Sequence, residues 1–164
     1  MRNCLRVIAA GLAGGLAGNG VLGVAFSSSW VTHALYDPSL QSALFIEITR
    51  QRDIPLSIAG LVALSIVHSW LFAVLHGAIP GRCRATKGLF WGLVIWLMFW
   101  VFQEWFVYKT LLQEPWVLVS LELAVLLIGS LAEGTVIGLL VPPPKKGASR
   151  VAVPVSDVTA GWDT

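Results

Sequence analysis

Four stretches of this chain stay apolar long enough to cross a bilayer, and short polar or proline-bearing links separate them. They cover residues 5–26, 55–79, 88–112 and 116–141. About 20 apolar residues suffice for a hydrocarbon core of roughly 30 Å, so the pattern predicts four transmembrane helices. The third, GLFWGLVIWLMFWVFQEWFVYKTLL, carries Trp91, Trp96, Trp100 and Trp105 and no charge before Glu104. At 100° per residue, Trp96, Trp100, Glu104 and Tyr108 share one stripe with Gln103 beside it, which predicts the face turned toward the other helices.

The other helices carry their own inward signals. In helix two, Ser65, His68, Ser69, Phe72 and His76 project within about 100° of one another, a polar stripe on an otherwise apolar cylinder. In helix four, Glu122 and Glu133 are eleven residues apart, about three turns and roughly 16 Å along the axis, with Gly129 between them. In helix one, Gly11, Gly14, Gly15 and Gly18 line one face with Asn19 at its edge, the small-residue spacing that lets helices approach closely in lipid. That face serves either packing within the bundle or docking of a partner subunit. A rival reading makes helix one a secretory signal, with Arg2 and Arg6 before it and Ala25-Phe26-Ser27 as the cleavage site.

An intramembrane carboxyl is costly and usually faces the protein interior with a partner. Depth along the helices therefore predicts two polar layers. The outer layer holds Glu104, Glu122, Gln103 and Tyr108, and the inner one holds Glu133, His68, His76 and Ser69. Each layer either fixes helix register through mutual hydrogen bonds or titrates and moves protons or a polar ligand. Two histidines eight residues apart on one helix cannot both be axial ligands of one haem, and no CxxCH is present.

The links set the orientation. Residues 27–54 form the one sizeable loop, with Trp30, His33 and Tyr36, and Asp37-Pro38-Ser39 starts a predicted interfacial helix over residues 39–48. Arg2, Arg6, Arg82, Arg84, Lys87, Lys145, Lys146 and Arg150 fall on one side, against Arg50, Arg52 and Lys109 on the other. The positive-inside rule then places both termini in the cytoplasm. Residues 1–141 read as the transmembrane domain. Residues 142–164, opened by Pro142-Pro143-Pro144, read as a flexible cytoplasmic tail whose lysines meet anionic headgroups.

Composition narrows the class further. The chain is 56% hydrophobic and 12% charged, with mean hydropathy +0.77, whereas soluble domains carry about 25% charged residues. A net charge of +2, spread over short segments, gives no basic patch for nucleic acid. Cys4 and Cys83 both fall on the cytoplasmic side, so neither a disulfide nor a CxxC metal site is expected. The chain contains no GxxxxGK[ST], GxSxG or HExxH motif, and no catalytic residue is assigned.

Leu75-His76-Gly77, Pro80-Gly81 and the run Lys87-Gly88-Leu89-Phe90-Trp91-Gly92-Leu93 resemble small four-helix bacterial membrane families of unknown function, over residues 5–141. The resemblance implies architecture and no activity. The sequence thus predicts an all-α polytopic protein of the inner membrane, a four-helix up-down bundle with a short interfacial helix in its outer loop. Its expected role is that of a non-enzymatic accessory or structural subunit, packed against itself or other membrane subunits. No cofactor is assigned, although the aromatic excess of helix three suits lipid tails, a quinone or a pigment. The alternative is a small proton-coupled transporter or channel working through Glu104, Glu122, Glu133, His68 and His76.

Overall fold

A computed structural model describes residues 2–49 and 53–143. Lys145, Lys146, Arg150 and most of the expected tail lie outside the described residues, as do Arg50 and Arg52. Every regular element among the described residues is helical. They are α1 (Arg2–Ser27), α2 (Ser29–Leu35), α3 (Ala43–Thr49), α4 (Ile54–Leu75), α5 (Arg84–Leu111) and α6 (Trp116–Leu140). The four long ones, α1, α4, α5 and α6, are apolar and long enough to cross a membrane.

Local chemistry sets their ends. The Asp53 carboxylate accepts the Leu56 N–H at 3.0 Å, and Pro55 occupies the first turn of α4. An acceptor there satisfies one of the helix's free amides, and Pro has no amide to satisfy. At the start of α5 the Thr86 hydroxyl accepts the Cys83 N–H at 3.1 Å. The turn before α6 puts Gln113 at φ 58°, a left-handed conformation that ends α5 as a glycine would.

The loop differs from its expected form. Asp37-Pro38-Ser39 does not start a helix: the Asp37 carboxylate accepts both the Ser39 N–H (2.9 Å) and the Ser39 hydroxyl (2.7 Å), closing a local turn. Such side-chain bonds compete with helix formation. These two bonds also hold the Asp37 carboxyl below its ordinary range. The helix begins later, at Ala43, and a separate short helix, α2, precedes it. Its Ser28 hydroxyl accepts the Val31 N–H at 3.4 Å.

The long helices pack in the order α4, α1, α6, α5. Close approach at small residues makes this possible. A Cβ on Gly11 would lie 2.7 Å from the Ile66 Cα of α4, and one on Gly15 2.8 Å from the Ser65 Cβ. On the adjoining side of α1, Gly14 and Gly18 meet Ile137 and Glu133 of α6. The glycine face of α1 is therefore occupied within the chain, shared between two neighbours. Gly88 and Gly92 of α5 lie against Gly134, Gly138 and Ser130 of α6 just as tightly. Lipid tails are as apolar as leucine, so such helices associate through close van der Waals contact rather than through a hydrophobic drive.

Consecutive helices α4 and α5 do not pack along their length. They meet near the short basic link that joins them, where the Phe72 and Trp91 rings sit edge to face at 6.1 Å. A core of Phe72, Trp91, Ile95 and Ile137 closes the bundle there. Polarity is reversed relative to a soluble protein. Leu16 and Met98 are 77% and 75% exposed, while Ser65, His68, Ser69, Glu104, Ser130 and Glu133 are buried.

Candidate functional site

At the end of the bundle that carries the loop, α4 and α5 leave between them a cleft of about 850 Å³. All four long helices and the loop line it. Tyr36, Gly23 and Gly60 on its border are exposed, so it communicates with the surroundings. Gly23 and Gly60 have nothing within 4 Å on the side where a Cβ would stand.

Helix α5 shapes the cleft through its irregularity. Its backbone is π-helical over Trp96–Trp100 and Gln103–Leu111. The Leu112 N–H bonds to the Val107 carbonyl, and the Thr110 hydroxyl to the Trp105 carbonyl, each five residues back. Such turns are wider than α-turns and recur at functional sites. They shift the stripe predicted at 100° per residue. Trp96 leaves the cleft and donates its indole N–H to the Leu123 carbonyl of α6 at 2.8 Å. Phe99 and Gln103 join Trp100, Glu104 and Tyr108 on the wall.

The expected outer layer is assembled here. Glu104 and Glu122 both line the cleft, with their carboxyls at hydrogen-bonding range of one another. Glu104 is 2% exposed, and its Oε2 is buried with no hydrogen-bond partner among the described residues. Among the described residues, the cleft lining contains no lysine, arginine or histidine.

The expected inner layer is only partly assembled. His68 Nδ1 lies 3.0 Å from Glu133 Oε1, both buried. Ser69 instead donates its hydroxyl to the Val7 carbonyl of α1 at 2.8 Å. His76 sits just beyond the end of α4, with its ring edge-on to Phe72 at 5.5 Å and its carbonyl accepting Lys87 Nζ at 2.6 Å. Burial, together with the nearby Lys87 and Arg84 charges, pushes the His76 imidazole below its ordinary value. The second histidine thus belongs to the basic link and not to the Glu133 layer.

A second, much smaller space of about 20 Å³ lies between the layers, bounded by His68, Glu133 and Ser130. It shares Asn19, Leu22, Leu61, Leu64 and Trp100 with the cleft wall. One water needs about 10–15 Å³, so this space suits a single water. Beyond it stands the Phe72–Ile137 core, whose two named side chains have no exposure.

Glu114, in the turn between α5 and α6, was missed by sequence reasoning. It is buried, and its Oε1 accepts the Ser42 N–H at 3.1 Å, tying the loop to the rim of the cleft. Lys109 Nζ donates to the Glu114 carbonyl at 2.9 Å from the other side. An acid in a proline turn reads as a solvated surface group, so only the fold reveals this tie. Among the described residues no group of three or more His, Cys, Asp or Glu is placed to hold a metal ion.

Fold and site together define an all-helical, membrane-spanning protein with a carboxyl-bearing cleft at one end and a sealed core at the other. No protein-family model, curated protein or solved structure matches the chain.

Proposed function

We propose that this chain is a non-enzymatic protein of the inner membrane that binds a small molecule in its loop-end cleft, alone or as a subunit of a larger membrane assembly. Its four long helices run up and down, both termini are cytoplasmic, and α2 and α3 lie at the outer interface. The observation that carries the reading is the one-ended cleft, wide at the loop and stopped by Phe72, Trp91 and Ile137. Its volume is that of a small-molecule site, which typically measures about 300–1,000 Å³. Exposed Trp30 and Tyr36 on the loop, and Trp105 and Trp116 at the same end, suit a headgroup level. The resemblance to small bacterial four-helix families fits this placement.

Orientation has a direct test in Cys83, which is exposed at the start of α5. The Thr86 hydroxyl beside it holds its thiol below the ordinary value, and the thiolate is the reactive form. In a Cys4→Ser protein, an impermeant maleimide is expected to label Cys83 in inverted vesicles and not in intact cells. Thr86→Val should slow labelling near neutral pH and shift its pH dependence upward. Labelling from outside would reverse the topology.

The one-ended cleft is tested with cysteines placed in a Cys4→Ser, Cys83→Ser background. A small sulfonated methanethiosulfonate is expected to reach Gly60→Cys from the loop side only and Ser65→Cys from neither side. Reaction of either cysteine from both sides would show a through-path and end the reading.

The second reading, proton-coupled transport, draws on the water-sized space between the Glu104–Glu122 and His68–Glu133 pairs. A relay needs titration, which Glu122→Gln and Glu133→Gln remove while keeping size and most hydrogen bonding. Loss of proton or solute flux in liposomes with assembly intact would favour transport; unchanged flux in both variants would dismiss it.

A further inference from the structure

We propose that the loop-end cleft takes an organic cation with an apolar or aromatic body, for which Glu104 and Glu122 are the counter-charge. This rests on the reading of the cleft as a ligand site and names the ligand's chemistry.

The first support is the way the acids are partnered. Glu133 has His68 at 3.0 Å, and Glu114 holds the Ser42 amide. Among the described residues, Glu104 and Glu122 have only each other, in a wall where no described residue is basic. The second support is the orphan oxygen. Oε2 of the 2% exposed Glu104 has no hydrogen-bond partner among the described residues, and a buried acceptor left without a donor is costly. A donor or cation that drew the Glu104 carboxyl toward the cleft would remove that cost.

The rest of the wall selects among cations. A calcium ion wants about 6–8 oxygen ligands and magnesium a near-octahedral set, whereas this wall sets two carboxyls among Phe26, Phe99, Trp100 and Tyr108. Phe99 and Trp100 meet edge to face at 4.7 Å, and aromatic faces attract organic cations, more strongly where water is displaced. A neutral quinone or lipid tail would use the aromatic wall and leave the carboxyl pair without a counter-charge. A carboxyl pair in an aromatic cleft whose described lining holds no basic side chain is thus matched by an ammonium, phosphonium or guanidinium carried on an apolar frame.

The test is equilibrium binding to the purified full chain in nanodiscs, using tetraphenylphosphonium and neutral triphenylphosphine oxide as probes. The phosphonium should bind saturably and at least about tenfold more tightly than the oxide, and Glu104→Gln or Glu122→Gln should each weaken it about tenfold or more. Gly60→Leu, which grows into open space in the cleft, should abolish binding of both probes. If the two probes bind equally and the glutamine variants bind as the parent does, the cation inference is overturned and the cleft remains a neutral-ligand site. If neither probe binds, or if Gly60→Leu leaves binding unchanged, the ligand-site reading itself fails. The comparison of the two probes on the parent protein needs no variant, so it decides even where a glutamine substitution disturbs folding.

Discussion

Gly134→Leu is expected to leave almost no folded, monodisperse protein. A Cβ at Gly134 would stand 2.5 Å from the Gly88 carbonyl oxygen and 2.6 Å from the Gly92 Cα. Both are backbone atoms of α5, so no rotamer change relieves the clash and the two helices must separate. Overpacking a core that can adjust costs about 1–3 kcal/mol, and an unyielding backbone contact should exceed that. Separation would also strip the α5–α6 seam of the close contacts that stand in for a hydrophobic drive in lipid. Gly60→Leu is the control: with nothing within 4 Å, it should keep the melting temperature or raise it slightly, since leucine favours helix over glycine by about 0.5–1 kcal/mol. Size-exclusion profiles and thermal melts in one detergent make the comparison. Equal stability of the two variants would mean that the α5–α6 seam is not what holds the bundle.

The next largest effect is expected at the His68–Glu133 pair, where either His68→Ala or Glu133→Ala should destabilise by about 3–5 kcal/mol, because the surviving partner is left buried and alone. The pair joins α4 to α6, two helices otherwise held together mainly through α1, which lies between them. The double variant His68→Ala/Glu133→Ala should cost less than the sum of the two, by a coupling of about 0.5–3 kcal/mol. Glu133→Gln keeps a hydrogen-bonding group in place and should cost far less than Glu133→Ala. Additive single effects, measured by reversible unfolding in mixed micelles, would show that the two side chains do not act as a pair.

The spans were plain in the sequence, because a run of apolar residues long enough to cross a bilayer needs no tertiary information. Among the polar residues of the cleft, Glu104, Glu122 and Gln103 were also named from it, since they stand out against apolar surroundings, whereas Gln41 and Ser57 were not. What the sequence did not carry was the order in which the helices stand. Short links suggest that neighbours in sequence pack together, yet α4 and α5 part above Phe72 and Trp91, and the cleft exists because they do. A uniform 100° rotation put Trp96 on the same face as Glu104, whereas the π-helical turns send it to the Leu123 carbonyl. The seam glycines were visible as Gly88-xxx-Gly92 and Gly134-xxx-Gly138, a spacing as regular as that of α1. Interrupted hydrogen-bond periodicity depends on packing that composition does not encode.

The position of α1 between α4 and α6 has a consequence for biosynthesis. Of the four long helices, α1 leaves the ribosome before the others; it gains one neighbour when α4 follows, and the other only when α6 is complete. At about 5–20 residues per second, the side of α1 bearing Gly14 and Gly18 therefore waits in the bilayer for seconds before Ile137 and Glu133 arrive to cover it. During that interval it is open to a membrane chaperone or to another nascent chain. A chain interrupted after α4 would keep that side bare for good, which gives quality control a simple mark by which to tell an unfinished copy from a finished one.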